Sequence, residues 1–271
     1  MLYDRIVDTE RLEADLYGLC AVDSMTTGRG EYMADRFEDI GFSVERQPMI
    51  NYPHTDKLMQ DLWNDENVIA EYTGDPGTDK YLLVMGHHDK VPEGKGANDN
   101  GSGSVMLLEL AHQLVERGEK VNVRFASYGL EEIGLDGASV YVKSLSDTER
   151  GNIIAAVNLD CIGAGSELTL TLKDRRSATS EWVNEAIKQK ADSMGISYYE
   201  RASLRGSSDH AVTSNAGIPT ASLCRQEDGA IPNLHTKDDV VENIDLGQLT
   251  ETGDLVYHAL IDIYRERSRS D

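Results

Sequence analysis

Four short strand-length runs, Tyr81–Val84, Val121–Tyr128, Ile153–Leu159 and Thr220–Leu223, constrain this chain more than any other feature. The first is wholly apolar, the pattern of a strand buried on both sides; Ile153–Leu159 and Thr220–Leu223 are further apolar runs, and Val121–Tyr128 reads as a strand between them. Between and around them lie segments with helical spacing. Thr9–Leu19 carries Leu12, Leu16 and Leu19, and Arg29–Ile40 stops at Gly41, a natural helix C-cap. Ser102–Glu116 places Val105, Leu108 and Ala111 on one side. Glu181–Met194 is opened by Ser180 and closed by Gly195, and Asp245 introduces a helix over Leu246–Arg265. Shorter strands are expected at Ser43–Gln47, Val68–Tyr72, Glu167–Leu172 and Ile196–Tyr199, with a polar, irregular loop over Ile50–Asn67. Strands alternating with helices predict an α/β fold with three layers, α/β/α, around a central mixed, mainly parallel sheet.

At 271 residues the chain has the size of one ordinary α/β domain, so residues 1–271 are expected to form a single catalytic unit. No stretch approaches the eighteen or so apolar residues needed to cross a bilayer. The N-terminus runs straight into a charged amphipathic pattern without an apolar core of the secretory kind, which predicts a cytoplasmic protein. The formal charge of −22 argues against nucleic acid and against anionic membrane as partners, because both demand a positive footprint. Cys20, Cys161 and Cys224 have neither the number nor the spacing of a disulfide framework or a thiolate metal site.

Chemistry-bearing residues gather where the strand runs end. His87 and Asp89 follow the first, and Asp99 comes ten residues later in a Gly-rich return. Glu131 and Glu132 follow the second, and Asp160 the third; His235 lies in the loop Asn233–Asp239. In open α/β sheets the C-terminal edge of the parallel strands is where ligands bind. So many acids at one buried edge would repel one another and lose hydration. Imidazole and carboxylate together suit zinc, and two divalent cations would remove that cost.

Taken in order, Gly86-His87-His88-Asp89, Ala97-Asn98-Asp99-Asn100-Gly101-Ser102-Gly103, Glu131-Glu132-Ile133-Gly134-Leu135-Asp136-Gly137, Asn158-Leu159-Asp160, Ser208-Asp209-His210 and His235-Thr236 closely resemble the motifs of the co-catalytic di-zinc aminopeptidases. That family of zinc exopeptidases also includes glutamate carboxypeptidases and glutaminyl cyclases, and the likeness runs from about Val68 to the C-terminus. The resemblance implies that His87 and Asp160 bind one zinc, that Glu132 and His235 bind the second, and that Asp99 bridges both. It further implies Asp89 as the partner of the His87 imidazole, Glu131 as general base towards a metal-bridging hydroxide, and a cis peptide after Asp99. Manganese or cobalt can occupy similar carboxylate-rich sites. His88, alternating with His87, is expected to point away from the metals.

The activity so implied is removal of N-terminal residues from peptides. A related zinc hydrolase acting as carboxypeptidase, dipeptidase or aminoacylase is the alternative. One departure from the family is plain: the tyrosine often found directly before the last histidine is Leu234 here. The oxyanion of the reaction then needs another donor, with His210, Arg205 or a tyrosine elsewhere as candidates. Neither side-chain preference nor oligomeric state follows from the sequence.

Overall fold

The structure, a computed structural model, describes residues 3–49, 65–202 and 206–269. Among them the chain runs through α1 (Thr9–Ala21), α2 (Thr27–Ile40), β1 (Val44–Pro48), β2 (Glu66–Thr73), β3 (Tyr81–His87), α3 (Gly103–Arg117) and β4 (Asn122–Tyr128). It continues through α4 (Asp136–Ser144), α5 (Asp147–Asn152), β5 (Ile153–Leu159), β6 (Glu167–Lys173), α6 (Glu181–Met194), β7 (Tyr199–Ala202), α7 (His210–Asn215), β8 (Thr220–Gln226) and α8 (Leu246–Arg267).

The strands form one eight-stranded sheet in the order β1-β2-β4-β3-β5-β8-β6-β7. Its centre, β4-β3-β5-β8, is parallel throughout, and β2 and β6 join it antiparallel on either side. The four strand-length runs named first are those four central strands. Because they point the same way, their C-terminal ends fall along one rim. The register sets His87 beside Tyr128, and Leu159 beside Leu223.

Both faces of the sheet are covered, which makes the fold a three-layer α/β/α sandwich. On β3, Leu82 and Val84 face a core shared with α1, α2, α3, α6 and α8, while Tyr81, Leu83 and Met85 face a smaller core against α4 and α7. Burying each Leu, Val or Met in such a layer contributes about 1.5–3 kcal/mol. This double burial holds the ends of β3, β4 and β5 in fixed relation, and the polar rim rests on it.

Several local expectations need correction. The loop expected to end at Asn67 ends earlier, because Glu66 and Asn67 already pair with Pro48 and Gln47 in β2; residues 50–64 of that loop lie outside the described residues. Ser180 occupies the N-cap of α6, yet its side chain makes no capping bond, and its backbone instead accepts from the Asn184 N–H. The strand expected at Ile196–Tyr199 lies at Tyr199–Ala202. Ile196 is spent on closing α6, its N–H bonding the Ala191 carbonyl and its side chain entering the core. No helix among the described residues is long and apolar enough to cross a membrane.

Candidate active site

Strand β3 ends on His87, which is 1% exposed. Its Nδ1 lies 3.2 Å from both Oδ1 and the backbone oxygen of Asp89, so the ring is held from behind. Its Nε2 looks forward, 3.3 Å from Asp99 Oδ1 and 3.6 Å from Asp160 Oδ1. On the other oxygen of Asp99 the pattern repeats: His235 Nε2 stands 3.0 Å from Asp99 Oδ2 and 3.1 Å from Glu132 Oε2. Asp99 thus divides its two oxygens between an imidazole–carboxylate pair on each side.

The position of Asp99 follows from the turn Ala97–Ser102, whose Asn98, Asn100 and Ser102 side chains bond to the end of β5 and the residues after it. Asn100 Nδ2 donates to the Leu159 carbonyl at 2.8 Å, and its Oδ1 accepts from the Cys161 N–H at 3.3 Å, bracketing Asp160. Asn98 Oδ1 accepts from the Gly163 N–H and Ser102 Oγ from the Ile162 N–H. From the opposite side the buried Asp239 accepts the N–H groups of Asn98 and Asp99 at 2.6 and 3.2 Å, tying the His235 loop to this turn. The Asp99–Asn100 peptide is cis.

The loop after β4 brings Glu131 and Glu132 to the same place. Asp89 fixes it: Oδ1 accepts the Glu131 N–H at 3.1 Å and Oδ2 the Glu132 N–H at 3.2 Å. One carboxylate therefore orients both His87 and the two glutamates. Ligand atoms of His87, Glu131 and Asp160 lie within 4.8 Å of one another, as do those of His87, Asp99 and Glu132. Leu130, Cys161 and His235 adopt left-handed φ values of 56°, 56° and 55°, unfavourable for side chains with a Cβ. Each is a site residue or adjoins one, and such conformations persist where surrounding contacts over-determine them.

The side chains of the cluster act strongly on one another's titration. Burial works against protonation of His87, but Glu131, Asp160, Asp89 and Asp99 outweigh it and raise its pKa well above the usual value. Hydrogen bonds to Asp99 and Glu132 push His235 up to about 10. Burial raises Glu132, and raises Glu131 further. Asp99 alone is held low, because its bonds from His235 and His87 overcome its own burial. Among the described residues, Glu132 Oε1 and Asp160 Oδ1 are buried without a hydrogen-bond partner, and His87 Nε2 meets only the carboxylates of Asp99 and Asp160, at 3.3 and 3.6 Å. Borderline donors of this kind, imidazole and carboxylate, fit zinc.

The remaining residues sort by place. His88 points away, its Nδ1 at 2.9 Å from Ser127 Oγ and its Nε2 at 3.3 Å from Asp65 Oδ1, fully buried. Asp209 is completely buried behind the cluster, pushed up to about 8 mainly by that burial. His210, beside it, lines the cavity that opens over Asp99, Glu131, Glu132, Asp160 and His235. Leu234 lines the same cavity, and none of the lining residues among those described is a tyrosine. Arg205 lies outside the described residues. Sequence reasoning missed Asn98, Asn100, Asp239 and Asp174 as organisers of the site, and of these only the Asp238-Asp239 pair beside His235 gave a signal.

Comparison with known proteins places the chain in a family. The family model of peptidase family M28 matches residues 67–260. Aminopeptidase YwaD of Bacillus subtilis (strain 168) is 34% identical over an alignment of 197 residues that covers 69% of this chain and 42% of that protein. The chain thus matches less than half the length of that relative. The solved structure of BSAP, a zinc aminopeptidase from Bacillus subtilis, is 31% identical with a TM-score of 0.67, covering 76% of this chain and 52% of that one. The aminopeptidase from Aneurinibacillus sp. strain AM-1 shares the fold over 95% of this chain and 94% of its own, with a TM-score of 0.78 at 18% identity.

Proposed function

The chain belongs to peptidase family M28, and on that premise we propose that it is a zinc aminopeptidase that releases N-terminal residues from peptides. The observation that carries the reading is the division of Asp99 between His87 with Asp160 on one oxygen and His235 with Glu132 on the other. Those five residues would hold two zinc ions, with Asp99 common to both. Zinc, when bound, supplies a Lewis acid that brings the pKa of a water towards neutrality and polarises a carbonyl.

The chain's own residues do the rest. Glu131, raised by burial and by the neighbouring Asp209, Asp160 and Asp89 charges, takes a proton from the attacking water and returns it to the leaving amine. Asp89 keeps the His87 ring in one orientation and holds the backbone of the base in place. The acidic floor of the cavity attracts the cationic N-terminus of the substrate. Leu234 cannot fill the oxyanion role, and His210, which lines the cavity with its Nε2 turned to Asp174, is the candidate for it. We propose residues 1–271 as one catalytic unit, a reading supported by the unbroken sheet from β1 to β7.

A substrate panel tests this. The zinc-loaded protein is expected to cleave an amino-acid p-nitroanilide and to leave N-acylated and carboxypeptidase substrates intact. Cleavage only of peptides with blocked N-termini would reject the reading in favour of an aminoacylase or carboxypeptidase.

A further inference from the structure

The cavity over the acidic cluster holds about 420 Å³, and its walls are of two kinds. The floor carries Asp99, Glu131, Glu132 and Asp160, whereas the loop between β6 and α6 contributes Arg175 and Arg176 to the same cavity. Two adjacent arginines at one cavity wall are unexpected in a chain with 48 acidic and 26 basic residues. Both are exposed, and among the described residues neither guanidinium has an ion pair.

The loop that carries them is built rather than loose. Asp174, 4% exposed, accepts the N–H groups of Arg176 and Ser177 on Oδ1, each at 2.7 Å. Its Oδ2 accepts from Ser207 Oγ at 2.5 Å and lies 2.9 Å from His210 Nε2. A Lys173–Ala178 bridge and the Asp174 N–H to Ser177 carbonyl bond close the hairpin, and Asn215 Nδ2 donates to the Arg176 carbonyl. The buried acid of this loop is thus committed to the backbone, Ser207 and His210. The guanidinium groups remain available.

We propose that Arg175 and Arg176 receive the free carboxylate of a short peptide, so that di- and tripeptides are preferred over longer or blocked substrates. This deepens the aminopeptidase reading and rests on it. A zwitterionic short peptide presents an amine to the acidic floor and, one or two residues past the scissile bond, a carboxylate to the arginines. The cavity volume is at the lower end for sites enclosing a small ligand, which matches that length. Guanidinium is the group best shaped to take a carboxylate through paired N–H bonds.

The test compares kcat/KM on Leu-Ala with Leu-Ala-amide, on Leu-Ala-Ala with its amide, and on Leu-Asp-amide, using zinc-loaded protein. The acid-to-amide ratio is expected to be about fivefold or more, the range of an exposed ion pair repeated over two arginines. It should shrink in high salt. In Arg175→Ala/Arg176→Ala it should fall towards one, and in Arg175→Lys/Arg176→Lys partly recover, while Arg46→Ala, which removes a charge from β1, keeps the native ratio. A native ratio near one, or a ratio unchanged in the double alanine variant, overturns the proposal. So does a gain for Leu-Asp-amide without a gain for the free acids, which would make an acidic side chain the ligand. If none of these peptides is cleaved, the aminopeptidase reading itself fails.

Discussion

His235 offers a direct pH test at the scale of one residue. In the metal-free protein its pKa stands at about 10, above the unfolded value of about 6.5. A group raised on folding stabilises most below its unfolded pKa and stops doing so as pH climbs through the folded one. Metal-free protein is therefore expected to lose thermal stability between about pH 6.5 and 10 more steeply than His235→Gln, followed by melting at fixed salt. An imidazole must be neutral to bind zinc, so zinc uptake at pH 7 should release protons and strengthen with rising pH, which calorimetry in buffers of different ionisation heat would measure. His87, Asp99, Glu132, Asp160 and His235 could be picked out from the sequence, most of them where a strand run ends. Asn100 could not be given its role, because its work is to bond a backbone carbonyl 59 residues away, which no local pattern encodes, and Asp239 was marked only by its place beside His235.

At the scale of elements, the turn that carries Asp99 and the strand that carries Asp160 are pressed together without room for a side chain. A Cβ added at Gly103 would stand 2.2 Å from the Leu159 carbonyl oxygen. Gly103→Ala is expected to cost about 1–3 kcal/mol, as overpacking does, and to lower the melting temperature by several degrees. Metal content should fall with it, because Asp99 and Asp160 can no longer approach; a variant with native melting and native zinc would contradict this packing account. The central strands and long helices were readable because burial on both faces and helical spacing leave strong patterns. Helix α4 was not, since its N-cap is Leu135 at φ 67°, a residue that carries no capping signal. Strand β7 was misplaced because an edge strand reading Tyr-Glu-Arg-Ala has no apolar face to betray it.

For the whole molecule, the acidic cluster makes folding and metal binding one problem. Chelation should leave Asp99, Glu131, Glu132 and Asp160 facing one another, and zinc at a hundredfold excess over its Kd should restore about 2.7 kcal/mol. A chelated sample is expected to melt on the order of 5 °C lower and to recover with added zinc. The three-layer architecture was legible as a whole because alternation of strands and helices dictates it. The claim that most depends on the site is that two zinc ions and Glu131 share the work. Titrating metal-free protein with zinc while following hydrolysis of an amino-acid p-nitroanilide tests it most directly. Native protein should reach full activity at two zinc ions per chain, and Glu131→Gln should bind as much zinc while losing about 10²–10⁴ in kcat. Glu131→Gln with two zinc ions and native activity, or native protein fully active without zinc, would contradict the account.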